Sequence, residues 1–203
     1  MTKKSPALAL LDFTQVPAGV GAVDALLKRA PVAFLRSGTV THGRYLVLFG
    51  GSTAATAEAL TAAVAVGGAP LLDQAFLPDV HPALFDGVLG ARRKPWGSLL
   101  VLETETAASL LRAVEAALKG TTVDLVELRL SDSGLAGKGV AFLSGTLPDV
   151  EAALQLAEGG LGDPPRGLAH RLIPAPHEAL ERGIGASTHF SDAPLLELDG
   201  EKG

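Results

Sequence analysis

Internal repetition constrains this chain more than any other feature, because a segment that recurs at a fixed offset must belong to a unit that is built twice. Ala22-Val23-Asp24-Ala25-Leu26-Leu27-Lys28 returns 91 residues later as Ala113-Val114-Glu115-Ala116-Ala117-Leu118-Lys119, and six of the eleven positions over 22–32 are identical. Tyr45-Leu46-Val47-Leu48-Phe49-Gly50-Gly51 corresponds to Gly139-Val140-Ala141-Phe142-Leu143-Ser144-Gly145 at an offset of 94, so the second copy carries three extra residues before this segment. Insertions of that size fall in loops. Residues 77–84 match 173–180 at an offset of 96. The pattern covers about 5–90 and 97–182 of the 203 residues. A period near 90 exceeds any solenoid unit and suits one small domain, which predicts a tandem duplication of a single fold.

Each copy has the same order of elements. Short apolar strands are expected at 8–12 and 99–103, followed by helices with an apolar stripe at Val20, Val23, Leu27 and Ala30, or at Leu110, Leu111, Val114 and Leu118. The next strands are expected at 32–35 and 123–130. In the second of these, Glu127 and Arg129 alternate with Val126, Leu128 and Leu130, the pattern of a half-buried strand. Third strands at 45–49 and 140–143 lead into helices starting at Ser52 and Thr146. Thr146-Leu147-Pro148-Asp149 combines a capping hydroxyl, a first-turn proline and an acidic residue that suits the positive end of a helix. Last strands at about Leu71–Leu77 and Leu168–Ile173 end at proline, and a short helix closes each copy. The order β-α-β-β-α-β predicts an α/β (α+β) chain of two tandem ferredoxin-like domains, 5–90 and 97–182, joined by a linker over 90–97. Residues 183–203 form a C-terminal tail, open to two readings: a mobile terminus, or a strand or peptide that docks on a partner. The fold by itself decides nothing about activity.

Composition removes several chemistries. The chain has no cysteine, which excludes disulfides, thiolate catalysis and cysteine-held zinc or iron–sulfur clusters. Seventeen Lys and Arg against 22 Asp and Glu leave a net charge of −5, so no nucleic-acid or anionic-lipid partner is expected. Apolar residues make up 47% of the chain, enough for a sizeable core. The longest uncharged apolar run, 59–72, contains Gly67, Gly68 and Pro70 and falls short of the roughly 20 residues of a membrane span. Lys3 and Lys4 precede a brief apolar stretch that Asp12 interrupts, a poor secretion signal, so the expected location is the cytoplasm.

With these motifs in place, both halves resemble bacterial microcompartment shell domains, and the whole chain resembles a non-permuted tandem-domain shell protein of the trimer-forming kind. The resemblance rests on three features present twice. They are the helix motif ending in Lys28 or Lys119, the glycine-containing loop Thr41-His42-Gly43-Arg44 or Leu135-Ala136-Gly137-Lys138, and the closing Pro78-Asp79-Val80-His81 or Pro174-Ala175-Pro176-His177. It implies a non-enzymatic structural subunit, without a cofactor, that forms a homotrimeric pseudohexamer. Such rings tile with hexameric and pentameric shell proteins around encapsulated enzymes, and small metabolites pass through a central pore. Threefold closure of a two-domain chain independently yields a pseudo-sixfold ring. The competing class is a small-molecule-binding regulatory trimer built on ferredoxin-like domains, with ligand held between subunits.

The resemblance places Thr41, His42 and Gly43 of the first loop, and Leu135, Ala136 and Gly137 of the second, around the pore. Family members with one domain often carry serine where His42 stands, so the polarity of the aperture departs from theirs. Three readings of His42 stay open: a solvated loop residue, a pore residue whose imidazole can carry charge, and one arm of a three-histidine metal site on the axis. Arg44 and Lys138, just past the loop glycines, could favour anionic metabolites. Lys28 and Lys119 match the family's edge lysine, which lies where neighbouring rings meet; the alternative is a solvated cation complementing a helix C-terminus. At the other edge position, Asp79 and Ala175 replace an arginine common in the family. Some non-permuted tandem members hold an iron–sulfur cluster at the pore through cysteine, which this chain lacks.

Other motifs favour structural roles. His81 and His177 recur with their prolines and read as structural histidines, and no metal ligand set is assigned. Gly50-Gly51-Ser52-Thr53 lacks the lysine and spacing of a phosphate loop and reads as a turn plus helix cap. The glycine- and proline-rich 158–165 reads as a loop. No serine sits in a nucleophile elbow, and the acids Glu103 and Glu105 keep only one counterpart, Asp12, in the first copy.

Overall fold

A computed structural model describes residues 6–132, 134–162, 165–196 and 198. Lys3, Lys4 and the Asp163-Pro164 pair of the glycine-rich stretch lie outside them.

The first unit contains β1 (Ala7–Phe13), α1 (Val16–Arg29), β2 (Phe34–Val40), β3 (Arg44–Gly51), α2 (Thr53–Gly67), β4 (Leu71–Leu77) and α3 (Pro82–Val88). The second repeats the order with β5 (Ser98–Thr104), α4 (Ala107–Gly120), β6 (Asp124–Leu130), β7 (Gly139–Gly145), α5 (Leu147–Gly159), β8 (Leu168–Ile173) and α6 (Glu178–Ala186). Two four-stranded sheets result, ordered β2-β3-β1-β4 and β6-β7-β5-β8, with antiparallel pairing throughout. The repeat is carried into register: Leu8 faces Gly50 and Leu77, and Leu99 faces Ser144 and Ile173. The ferredoxin-like order read from the sequence is the order observed.

Local chemistry sets the element ends. Ser52 caps α2 by accepting the Ala55 N–H at 3.2 Å, and Thr146 caps α5 by accepting that of Asp149. The Thr146 hydroxyl also donates to the Asp149 carboxylate at 2.6 Å, which holds that carboxyl below its ordinary value. His81 and His177 are helix caps as well: each Nδ1 accepts a backbone N–H two residues on, at 3.3 and 3.1 Å.

Three expectations need correction. The second strand runs Phe34–Val40 instead of 32–35, because an edge strand pairs through its backbone and tolerates the polar Arg36-Ser37-Gly38-Thr39. In β6 a bulge between Leu125 and Glu127 breaks the alternation, and Glu127 and Arg129 are both buried. Arg92 of the linker and Thr188 beyond α6 each bond Glu127, at 2.5 and 2.6 Å, while Arg129 pairs with Asp132 at 2.6 Å. On α1, the face against its own sheet is Gly19, Ala22, Leu26 and Ala30, whereas Val20 and Leu27 are half-exposed at 51% and 52%.

The core crosses the unit boundary. Ala9, Leu11, Phe13, Ala22, Leu26, Val47 and Phe49 fill the space under α1 and α2. A second, larger cluster joins the other face of the first sheet (Leu8, Leu10, Leu48, Leu77) to Leu110, Leu111, Val114 and Leu118 of α4 and to Leu100, Leu102 and Leu143 behind it. Helix α4 is therefore packed between two sheets, with ten of its fourteen residues buried. All seven residues of β1 are buried for the same reason, although an antiparallel strand commonly keeps one wet face.

Candidate functional site

The loops between the second and third strands of each unit meet at one end of the molecule. Thr41, His42 and Gly43 form a single turn in which His42 (φ 64°) and Gly43 (φ 68°) are left-handed. In the second loop Ser131 (φ 54°), Ala136 (φ 52°) and Gly137 (φ 88°) share that conformation. A left-handed backbone at three residues that carry a Cβ costs about 1–3 kcal/mol each and persists only where surroundings enforce it. The enforcing contacts are present. Thr41 Oγ1 accepts the Gly137 N–H at 3.1 Å, tying one loop to the other, and the Ser131 hydroxyl donates to the Gly137 carbonyl at 2.6 Å. His42, Gly43 and Ala136 are exposed, Thr41 and Leu135 half-buried, and Gly137 buried.

Gly137 is buried because the Arg44 guanidinium occupies the space that a Cβ there would need. Arg44 crosses between the units: Nε and Nη2 donate to both carboxylate oxygens of Asp12, and Nη1 to the Glu105 carbonyl at 3.4 Å. Asp12 is fully buried in β1. Burial pushes its carboxyl above the ordinary value, a shift opposed by the bonds to Arg44 and reinforced by the Asp73 charge. The counterpart of this pair in the second unit is Lys138 with Glu103, at 2.6 Å and largely exposed. The two cations expected to attract anions at the loops are thus both engaged, and Arg44 turns into the protein because Asp12 awaits it there.

The junction between units has a polar border along α4. Asp73 of β4 accepts Arg112 Nη1 at 3.1 Å and Nη2 at 3.2 Å, and also the Thr106 hydroxyl. Farther along the helix, the Glu115 carboxylate accepts the His81 N–H at 3.0 Å, and Lys119 Nζ donates to the Asp79 carbonyl at 2.6 Å and pairs with Glu115 at 2.7 Å. Lys119 therefore bridges the two units. The equivalent Lys28 on α1 is solvent-facing and pairs with Asp24 at 2.6 Å.

Two apolar surfaces have no cover of the kind α4 provides. One is the outer stripe of α1, Val20 and Leu27. The other is a groove of about 430 Å³ on the outer face of the second sheet, lined by Leu99, Val101, Phe142, Ile173, Leu180 and Ile184 together with Leu196 of the tail; Leu99 and Ile184 are buried at its floor, and Leu180 is exposed. These six are the repeat partners of Leu8, Leu10, Leu48, Leu77, Leu84 and Val88, which pack in the cluster around α4. Of the tail, Ser187, Thr188 and His189 are partly buried against β6, where Arg129 Nη1 donates to the Thr188 carbonyl at 3.3 Å. Phe190 and Leu195 are almost fully exposed. Among the described residues no three His, Cys, Asp or Glu side chains are grouped to hold a metal, and no helix is long and apolar enough to cross a membrane.

The structure is thus a duplicated ferredoxin-like unit, locked by a helix shared between two sheets. A family model for the BMC domain matches residues 7–80 and again 98–176. The chain belongs to the bacterial microcompartment shell protein family and is a structural shell subunit of the tandem, non-permuted type. It is 30% identical over 182 residues to the bacterial microcompartment shell protein PduT of Citrobacter freundii, covering 88% of this chain and 97% of that protein. The crystal structure of a microcompartment protein from Desulfitobacterium hafniense superposes with a TM-score of 0.74 at 31% identity, over 88% of this chain and 99% of that one. A double-ringed trimeric shell protein of the RMM microcompartment shares the fold, with a TM-score of 0.56 at 17% identity over 75% and 80%. These likenesses do not favour the regulatory-trimer reading.

Proposed function

We propose that three copies of this chain close into a pseudohexameric ring, without catalytic activity of its own, which tiles with hexameric and pentameric shell proteins around enclosed enzymes. The observation that carries this reading is the position of α4 between two sheets. Within the chain, the first sheet receives the helix of the second unit. The second sheet offers the equivalent groove, and α1 offers the equivalent helix, so each subunit supplies both halves of a head-to-tail contact that a threefold rotation closes. A trimeric assembly is named for one shell protein of the same fold.

In such a ring the loops 41–43 and 135–137 alternate around the axis, and His42 and Ala136, the exposed residues of the two turns that carry a side chain, line an aperture for small metabolites. Lys28 and Lys119 stand along the rim where neighbouring rings would meet. The test is the mass and shape of the purified protein. Native mass spectrometry is expected to give three times the 20.7 kDa chain, and electron microscopy a perforated disc that extends into sheets with other shell components. A monomer at high concentration would refute the ring. His42→Ala is expected to leave assembly intact while changing solute passage; loss of trimers would instead make His42 a packing residue.

A further inference from the structure

Helix α1 repeats α4 so closely that the polar contacts of the intrachain junction can be carried, residue by residue, to the junction between subunits. Glu115 corresponds to Asp24, Lys119 to Lys28, His81 to His177 and Asp79 to Ala175. Within the chain, Glu115 accepts the His81 N–H, and Lys119 donates to the Asp79 carbonyl while paired with Glu115 at 2.7 Å. On α1 the equivalent pair is already formed, Lys28 Nζ to Asp24 at 2.6 Å, and stands in solvent. The receiving end is free as well: among the described residues, neither the His177 N–H nor the Ala175 carbonyl has a hydrogen-bond partner.

We infer that the Asp24–Lys28 pair is a clasp for a second copy of this chain, in which the Asp24 carboxylate accepts the His177 backbone N–H of the neighbouring subunit and the Lys28 ammonium donates to its Ala175 backbone carbonyl. The inference rests on the ring reading and gives Lys28 a task inside the ring, ahead of any contact between rings. Both acceptors and donors on the receiving side are backbone groups, so replacement of Asp79 by Ala175 in the second copy leaves the contact intact. Other contacts do not carry over. Arg112 and Asp73 become Gly21 and Ala169, which removes the deepest ion pair from the subunit junction. The clasp then holds a larger share of that junction than Glu115 and Lys119 hold of theirs, and dilution should open the ring between subunits while each two-unit chain stays folded.

The experiment uses the full chain in sedimentation velocity or mass photometry over a dilution series. Asp24→Ala also favours helix, so α1 is kept, and a thermal melt of the dilute protein checks this. Asp24→Ala is expected to raise the concentration at which rings half-dissociate by about tenfold or more, the usual effect of losing one charge-assisted hydrogen bond. Lys28→Ala should act in the same direction more weakly, and Asp24→Glu, which installs the residue found at position 115, should restore the wild-type midpoint. Rings of wild-type strength in Asp24→Ala would overturn the clasp while leaving the ring in place. Intact rings that fail only to tile in Lys28→Ala would assign that lysine to the rim alone, overturning its part in the clasp. A wild-type chain that stays monomeric at every concentration would overturn the ring and the clasp together.

Discussion

Helices α1 and α4 descend from one segment and retain the same Ala-Val-acid-Ala-x-Leu-Lys core, yet ten residues of α4 are buried against three of α1. Each helix has two apolar faces. Both bury one on their own sheet, and only α4 also finds a sheet on its other side. The contrast teaches that exposure of Val20 and Leu27 is no flaw in an amphipathic design. In the proposed ring it is the half of a repeated contact whose other half lies on a different copy of the chain. Isolated exposed apolar residues need no explanation, but a stripe whose repeat partners are buried does.

The comparison breaks most readily at Leu118 and Leu27, which are repeat partners. Leu118→Ala should cost about 2–5 kcal/mol in denaturant unfolding, because it empties a filled core site. Leu27→Ala at the same dilution should cost about 1 kcal/mol or less, its effect falling on ring formation instead. Equal losses in dilute protein would show that the two helices are packed alike. The second contrast is between the loop-bracing cations. Arg44→Ala strands the Asp12 carboxylate in β1 and is expected to destabilise by about 3–5 kcal/mol, whereas Lys138→Ala removes a largely exposed pair and should cost about 0–1 kcal/mol.

Asp12 also predicts a pH effect of definite sign. Its carboxyl is raised by burial in the folded state, so the native chain binds this proton more tightly than the unfolded chain. Stability from this group is greatest in acid and declines as pH rises from about 4 through its raised value. Asp12→Asn should flatten that decline in unfolding midpoints measured from about pH 4 to 7, and an unchanged slope would remove Asp12 as its source. The smallest expected difference is between caps. Ser52→Ala and Thr146→Ala should each cost about 1 kcal/mol, and similar values would show that the second helices, unlike α1 and α4, are equivalent in the two units.

Much of the fold was legible because the repeat fixed it twice. The strand in β5 and the stripe of α4 were read directly, since a helix pressed between two sheets shows unbroken apolar periodicity. The capping chemistry at Thr146 was equally plain, because it is local. The reading of α1 chose Val20, Val23 and Leu27 over Gly19 and Ala22. Hydropathy favours large side chains, while close helix–sheet contact at Tyr45 admits only small ones. The extent of β2 was hidden by its polar sequence, and the burial of Glu127 and Arg129 by partners from distant segments. In the candidate site, the loops were found from their glycines, but the direction of Arg44 was missed. Only the unmatched acid at the end of β1 could have signalled it, and Asp12 read from sequence was merely the end of a strand.

The sequence by itself determined the duplication, the order of elements, the two loops and the absence of cysteine chemistry, since each is written in local spacing or in composition. Tertiary structure decided which copy of a repeated surface is covered, which charges are paired and which way the loop cations turn. Those outcomes depend on what lies across the junction, and two segments of nearly the same sequence give different answers when only one of them has its neighbour within the same chain.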